Sequence, residues 1–191
     1  MRRSSYTVTL DACVLYPAPL RDLLMELAAN GLFRVKRTEQ IHDEWVRNVL
    51  KNRDNLTREQ LERTRRLMNL AIPDCLVEGY EDLVAGLALP DRNDRHVLAA
   101  AIASASDGIV TFNLKDFPRP YLAKFSIELL HPDEFIHHQF GLDNAAVLVA
   151  VQRCRGRLRN PPKSADQYLD TLEVQGLPQT VAELRHYSAV I

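Results

Sequence analysis

Residues 6–11 read YTVTLD, and the fold turns on how that stretch is read. Tyr6–Leu10 is a β-rich run that predicts a strand. In an open parallel α/β sheet, the groups that meet a ligand lie just beyond the C-terminal ends of the strands, so Asp11 is placed at the ligand crevice. A second strand end comes from GIVTFNLKDF, residues 108–117, where the β-branched run is followed at once by Asn113 and three residues later by Asp116. Between the two lies LPDRNDRHVLAAAIA, residues 89–103. Pro90 and Asp91 open an Ala-rich helix there, and the spacing of Asp91 and Asp94 puts both carboxylates on one helical face. A further acid, Glu44, sits in TEQIHDEW, residues 38–45, on a helix that Thr38 can cap.

Taken singly, each of these residues has an ordinary role. Asp91 serves as an N-cap, Asp94 as a first-turn charge facing the helix dipole, Asp116 as a turn cap, and Asn113 as a residue tolerant of unusual backbone angles. Collected at one end of one sheet, they are what a hard divalent cation needs. Oxygen-only donors suit Mg2+ or Mn2+, whereas zinc favours His and Cys. Crowded carboxylates also repel one another, which predicts raised pKa values when no cation is bound. His42, Asp43 and His96 read as surface or packing residues. Cys13 reads as a small buried residue, since no base lies near it in sequence.

The remaining pattern alternates strands with helices. Helices are expected over Leu20–Asn30, over 38 onward, over 57–71 with Leu61, Leu67 and Leu70 facing inward, and over Tyr80–Leu87. Strands are expected over Phe33–Arg37, near Cys75–Val77, over 109–112 and over Ile127–Leu130. After His131-Pro132 comes a short helix to about Phe140, with Gly141 as a boundary. The chain beyond it is helical only, with starts at Ser164 and Pro178 and a break at Asn160-Pro161-Pro162. This tail either covers a face of the core, makes a dimer contact or binds RNA through Arg153, Arg155, Arg157 and Arg159.

The order strand-Asp, helix-Glu, DRNDRHVLAAAI and then IVTFNLKDFP resembles a PIN domain, the ribonuclease fold of VapC-type toxins in toxin–antitoxin pairs. The likeness is to the longer branch with a C-terminal helical extension. It implies a three-layer α/β/α fold with a central parallel sheet, a nuclease domain over residues 1–140 and an extension over 141–191. It also implies that Asp11, Glu44 and Asp94 are the core catalytic acids with Asp116 as the fourth. Asp11, Asp94, Asp116 and Asn113 would hold Mg2+ or Mn2+, with Asp91 an additional acid behind them; whether Asn113 or Asp116 touches metal directly is left open. The expected reaction is hydrolysis of RNA to a 5′-phosphate and a 3′-hydroxyl, with a protein antitoxin as partner and a homodimer as a common state.

Composition sets limits on this reading. A chain of 191 residues with 46% hydrophobic and 26% charged residues is of ordinary globular type. No apolar run approaches the length of a membrane span, and Met1–Ser5 leads into the first strand without a signal-peptide core, so a cytoplasmic protein is expected. Three cysteines without a CxxC pair indicate neither a disulfide framework nor a zinc site. The net charge of −1 gives no overall basic footprint. Local clusters occur at Arg34, Lys36 and Arg37 and at Arg63, Arg65 and Arg66, and Arg47 and Lys51 share one face of the Glu44 helix as the expected RNA contacts. Two alternatives stand beside the ribonuclease: a nuclease of the same fold directed at DNA, and a non-catalytic module whose acids hold an ion or a basic peptide. A haloacid-dehalogenase phosphatase would want a second Asp where Cys13 stands, and a dinucleotide-binding fold would want a Gly-rich turn that is missing.

Overall fold

The computed structural model describes residues 5–191; residues 1–4, which carry most of the expected leader-free N-terminus, lie outside them. Four parallel strands, β1 (Thr7–Leu10), β2 (Arg34–Lys36), β3 (Gly108–Val110) and β4 (Glu128–Leu130), form one sheet in the order β2-β1-β3-β4. Val8 pairs with Val35 on one side and Gly108 on the other, and Ile109 pairs with Leu129. Every residue of β1 and β3 is buried. Successive side chains point to opposite faces, so both faces of the sheet are covered, as in a three-layer α/β/α fold. The chain steps from β1 out to β2 and later returns on the other side of β1 to make β3. The strand order therefore reverses between β1 and β3, and a crevice opens at their C-terminal ends.

Asp11 ends β1 and caps the short helix α1 (Ala12–Leu15), after which α2 (Ala18–Ala29) runs back to β2. Thr38 caps α3 (Glu39–Asn52), its hydroxyl accepting the Ile41 amide at 3.1 Å. Thr57 and Gln60 form a reciprocal capping box at the start of α4 (Arg58–Ala71). Next come α5 (Glu81–Val84), a single 3-10 turn over Arg92–Asp94, and α6 (Arg95–Ala103). After β3, α7 (Arg119–Leu122) leads to β4, and four helices follow: α8 (Pro132–Leu142), α9 (Asn144–Gly156), α10 (Ala165–Val174) and α11 (Pro178–Arg185). None of the helices among the described residues is long and apolar enough to cross a membrane.

Several expectations are corrected. Leu61 of α4 is buried, but Leu67 and Leu70 are 55% and 77% exposed. At about 100° per residue, the nine-residue step from Leu61 to Leu70 turns about 180°, whereas the seven-residue step to Met68 returns to the same face. Met68 is accordingly buried. The expected strand at 75–77 is one isolated bridge, in which the Arg37 amide donates to Cys75 O and Val77 donates to Arg37 O, both at 2.9 Å. Helix α5 covers only the middle of Tyr80–Leu87, and Gly141 lies within α8 rather than ending it.

One member of each basic cluster is drawn into the structure, while Arg34, Arg63 and Arg66 stay exposed. Arg37 is fully buried, its guanidinium donating to Met68 O at 2.8 Å and Asn69 Oδ1 at 3.1 Å. Arg65 joins α4 to α3 through Asp43 at 2.8 Å and through Glu39. In the tail, Arg153 and Arg157 close on Glu26 of α2, the first at 3.1 Å. The α9 arginines thus pin the extension onto the core, and α9 packs along α2.

Candidate active site

Asp11 is 2% exposed and held in one orientation by three donors. The Ala12 amide donates to Oδ1 at 2.6 Å, while the Thr111 hydroxyl and the Cys13 thiol donate to Oδ2 at 2.6 and 3.1 Å. Thr111 follows β3 directly, and the Asp11 amide donates to Val110 O at 3.1 Å, so adjacent strand ends build this pair. Two donors occupy Oδ2 and one occupies Oδ1, which leaves Oδ1 with an uncommitted lone pair. Thr111 also accepts the Asn113 amide at 2.9 Å, fixing the start of the loop that carries Asn113 and Asp116.

Asp94 ends the 3-10 turn ahead of α6 and is 8% exposed. Asp91 caps that turn, accepting the Asn93 amide at 2.8 Å, so the capping role expected of it is met while its residue stays exposed. Glu44 projects from α3 toward α6, with His96 Nε2 3.4 Å from its Oε2. Together Glu44, Asp91, Asp94, Asn113 and Asp116 line a cleft of about 660 Å3. Arg47 and Arg92 stand on the same lining, while Lys51 and the buried Asp11 do not; Asp11 is near enough for its charge to act on Asp94. The structure therefore brings every acid expected from the sequence to one end of the sheet, and separates Lys51 from them.

Electrostatics show the same grouping. Burial pushes the Asp94 carboxyl up, and the charges of Asp11, Asp91, Asp116 and Glu44 add to it, to about 7. Burial also raises Asp11; the hydrogen bonds from Thr111 and Cys13 offset part of the rise, and the Glu44 charge adds to it. Burial and the Asp11 carboxylate raise the Cys13 thiol as well, so it remains an S–H donor. Cys13 is thus a partner of Asp11 rather than only a packing residue. His96, expected as packing, is 4% exposed, with Nε2 toward Glu44 and Nδ1 without a hydrogen-bond partner among the described residues.

The donor set fits a hard cation by type. Carboxylate and amide oxygens predominate on the lining, and burial together with repulsion among the acids at Asp94 is a strain that a cation would relieve. Among the described residues, no three His, Cys, Asp or Glu side chains converge into a ready-made cage. Mg2+ does not need one, because it keeps several waters and takes one or two carboxylates directly.

A parallel α/β sheet with acids collected at the switch between its two central strands defines a class of acidic-cleft proteins. The chain belongs to the PIN-domain family, whose match covers residues 7–115. Residues 132–186 match a second family, the VapC50 C-terminal domain, which upholds the likeness to the longer VapC-type branch. Over 107 residues the chain is 38% identical to "Putative ribonuclease VapC50" of Mycobacterium tuberculosis (strain ATCC 25618 / H37Rv), an alignment covering 56% of this chain and 62% of that relative. The match thus spans less than two thirds of the relative. No solved structure matches the chain significantly.

Proposed function

We propose that this protein is a metal-dependent endoribonuclease, the toxin of a toxin–antitoxin pair acting in the cytoplasm. The observation that carries the reading is Asp94, raised to about 7 by burial and four neighbouring acids contributed from separate stretches of chain. A fold that gathers like charges in an open cleft does so at a cost, and such perturbed groups mark functional sites. The relative named as a ribonuclease supports the substrate class. The nuclease unit is taken as residues 1–140 and the extension as 141–191.

In this reading Asp11, Glu44, Asp94 and Asp116 are the catalytic acids. Asp11, Asp94 and Asp116 hold Mg2+ or Mn2+ with Asn113 as a neutral oxygen, and Asp91 adds charge at the rim. When bound, the cation supplies an acidified water and neutralises charge at the scissile phosphate. Asp11 contributes a fixed oxygen because Thr111, Cys13 and Ala12 leave its carboxylate no freedom to turn. Glu44 accepts a proton or orients water from the α3 side of the cleft. Arg47 holds a backbone phosphate beside the acids, with Lys51 farther along the same helix. A partner antitoxin would insert a basic side chain among the acids, so excess metal should weaken its inhibition. A homodimer is the expected assembly, readable by light scattering.

Purified protein incubated with matched RNA and DNA in Mg2+, Mn2+ or EDTA tests the reading. RNA cleavage restored by metal and absent in EDTA supports it. Cleavage of DNA alone would transfer the site to a DNA nuclease, and metal binding without cleavage of either would make it a binding module.

A further inference from the structure

The chain that follows β4 meets the site loop at Phe112. Phe112 stands between Thr111, which holds Asp11, and Asn113, and its amide donates to Cys13 Sγ at 3.3 Å. Its ring has two neighbours there. The His131 ring, at the start of α8, meets it edge-on with centroids 5.2 Å apart. The second is Gly176, where an added Cβ would lie 3.3 Å from Phe112 Cε1 and 3.8 Å from Cζ.

The turn bearing Gly176 is fixed by its own chemistry. Gly176 has φ of +85°, its amide donates to Glu173 O at 2.9 Å, and the Leu177 amide donates to Leu172 O at 3.3 Å. This is the paired bonding of a Schellman termination, which places glycine in the left-handed position. Leu172 and Leu177 are fully buried, as the accompanying apolar contact requires. Leu177 has no side-chain oxygen with which to cap α11. Asp133 of α8 does so instead, accepting the Gln179 and Thr180 amides, each at 2.9 Å. The turn is thus tied at one end to α10 and at the other to the helix that follows β4.

We infer that the C-terminal helices are a brace for the active-site loop, and that Gly176 and Phe112 are positioning residues through which the brace holds Thr111, Asn113 and Asp116. The extension then has a role in the nuclease site without contributing a ligand to it. This rests on the proposed metal site, so the test separates the two ideas.

The test compares wild type, Gly176→Ala, Phe112→Ala and the double variant, with Val151→Ala in α9 as a control for general loss of stability. Amide hydrogen exchange is followed over residues 111–117, and Mn2+ binding is measured by calorimetry. Gly176→Ala is expected to speed exchange in that loop and to weaken Mn2+ binding about 10-fold, the scale on which supporting partners of metal ligands act. The double variant should match Phe112→Ala alone, since the ring that transmits the contact is gone. Val151→Ala should lower the melting temperature without either change. Should Gly176→Ala fail to fold, Asp133→Asn, which loosens the same turn, takes its place with the same expectations. Unchanged loop exchange in the variant, or independent effects that multiply in the double variant, would overturn the brace. Wild type that binds no Mn2+ would sink the metal reading while the exchange data still decide the brace.

Discussion

Replacing Asp94 by Asn should make the metal-free protein more stable, and the gain should depend on pH in a defined way. A carboxyl raised from 3.8 to about 7 binds its proton more tightly in the folded than in the unfolded state. Its contribution to stability is therefore fully present below the unfolded value and is lost as pH rises through the folded one. At about 1.4 kcal/mol per unit, the rise corresponds to about 4 kcal/mol when the group is fully ionised. The cleft is open to water, and screening reduces what the fold feels to roughly half, ~2 kcal/mol. For a chain of this size that is a rise in Tm of ~4–8 °C. Thermal unfolding of wild type and Asp94→Asn in EDTA should show the full difference at pH 8 and less than half of it at pH 5, where most of the loss has not yet occurred. Adding Mn2+ at pH 8 should raise the wild-type Tm and close the gap, while the variant stays put. A difference that is constant with pH, or equal metal-induced shifts in both proteins, would refute the reasoning.

Thr111→Val removes a buried hydroxyl that donates to Asp11 at 2.6 Å. The loss of a bond to a charged acceptor should cost ~1.5–3 kcal/mol in urea unfolding and lower cleavage, whereas Thr111→Ser should retain both. Asp133→Ala removes the carboxylate that accepts two amides at the start of α11. Stability should fall by a few kcal/mol, and hydrogen exchange should accelerate first in α11. Arg47→Ala should weaken RNA binding measured by fluorescence anisotropy and lower the salt slope by about 1. Lys51→Ala should do less, because Lys51 is not on the cleft lining.

Much of the site was legible because its residues sit at positions that backbone geometry dictates. Asp11 and Asn113 come just after short β-rich runs, and the parallel order then brings the two strand ends together; that β3 stops at Val110, two residues before the expected end, leaves Thr111 free to hold Asp11. Asp91 and Asp94 announce their helix through Pro90 before them and alanines after. What escaped the sequence depends on contacts between distant segments. Leu67 and Leu70 look like core residues until the α4 stripe is anchored on Leu61 and Met68. Arg37 sits in a basic cluster on paper, yet it is fully buried among Met68, Asn69 and His42. Cys13 reads as packing because a thiol gives no sign in sequence that a carboxylate oxygen lies 3.1 Å away. The capping of α11 by Asp133, 46 residues upstream of Gln179, leaves no local trace at all. Arg153 and Arg157 pair with Glu26, on a helix far away in sequence, a contact that the tail's own pattern does not announce.

The most direct test of the central claim is to express wild type and Asp94→Asn in a bacterial host, follow growth and sequence total RNA for new 5′ ends. The account predicts growth arrest with discrete cleavage sites in wild type, and neither in the variant. Equal toxicity from both proteins, or no new ends from either, would contradict a ribonuclease built on this acidic cleft.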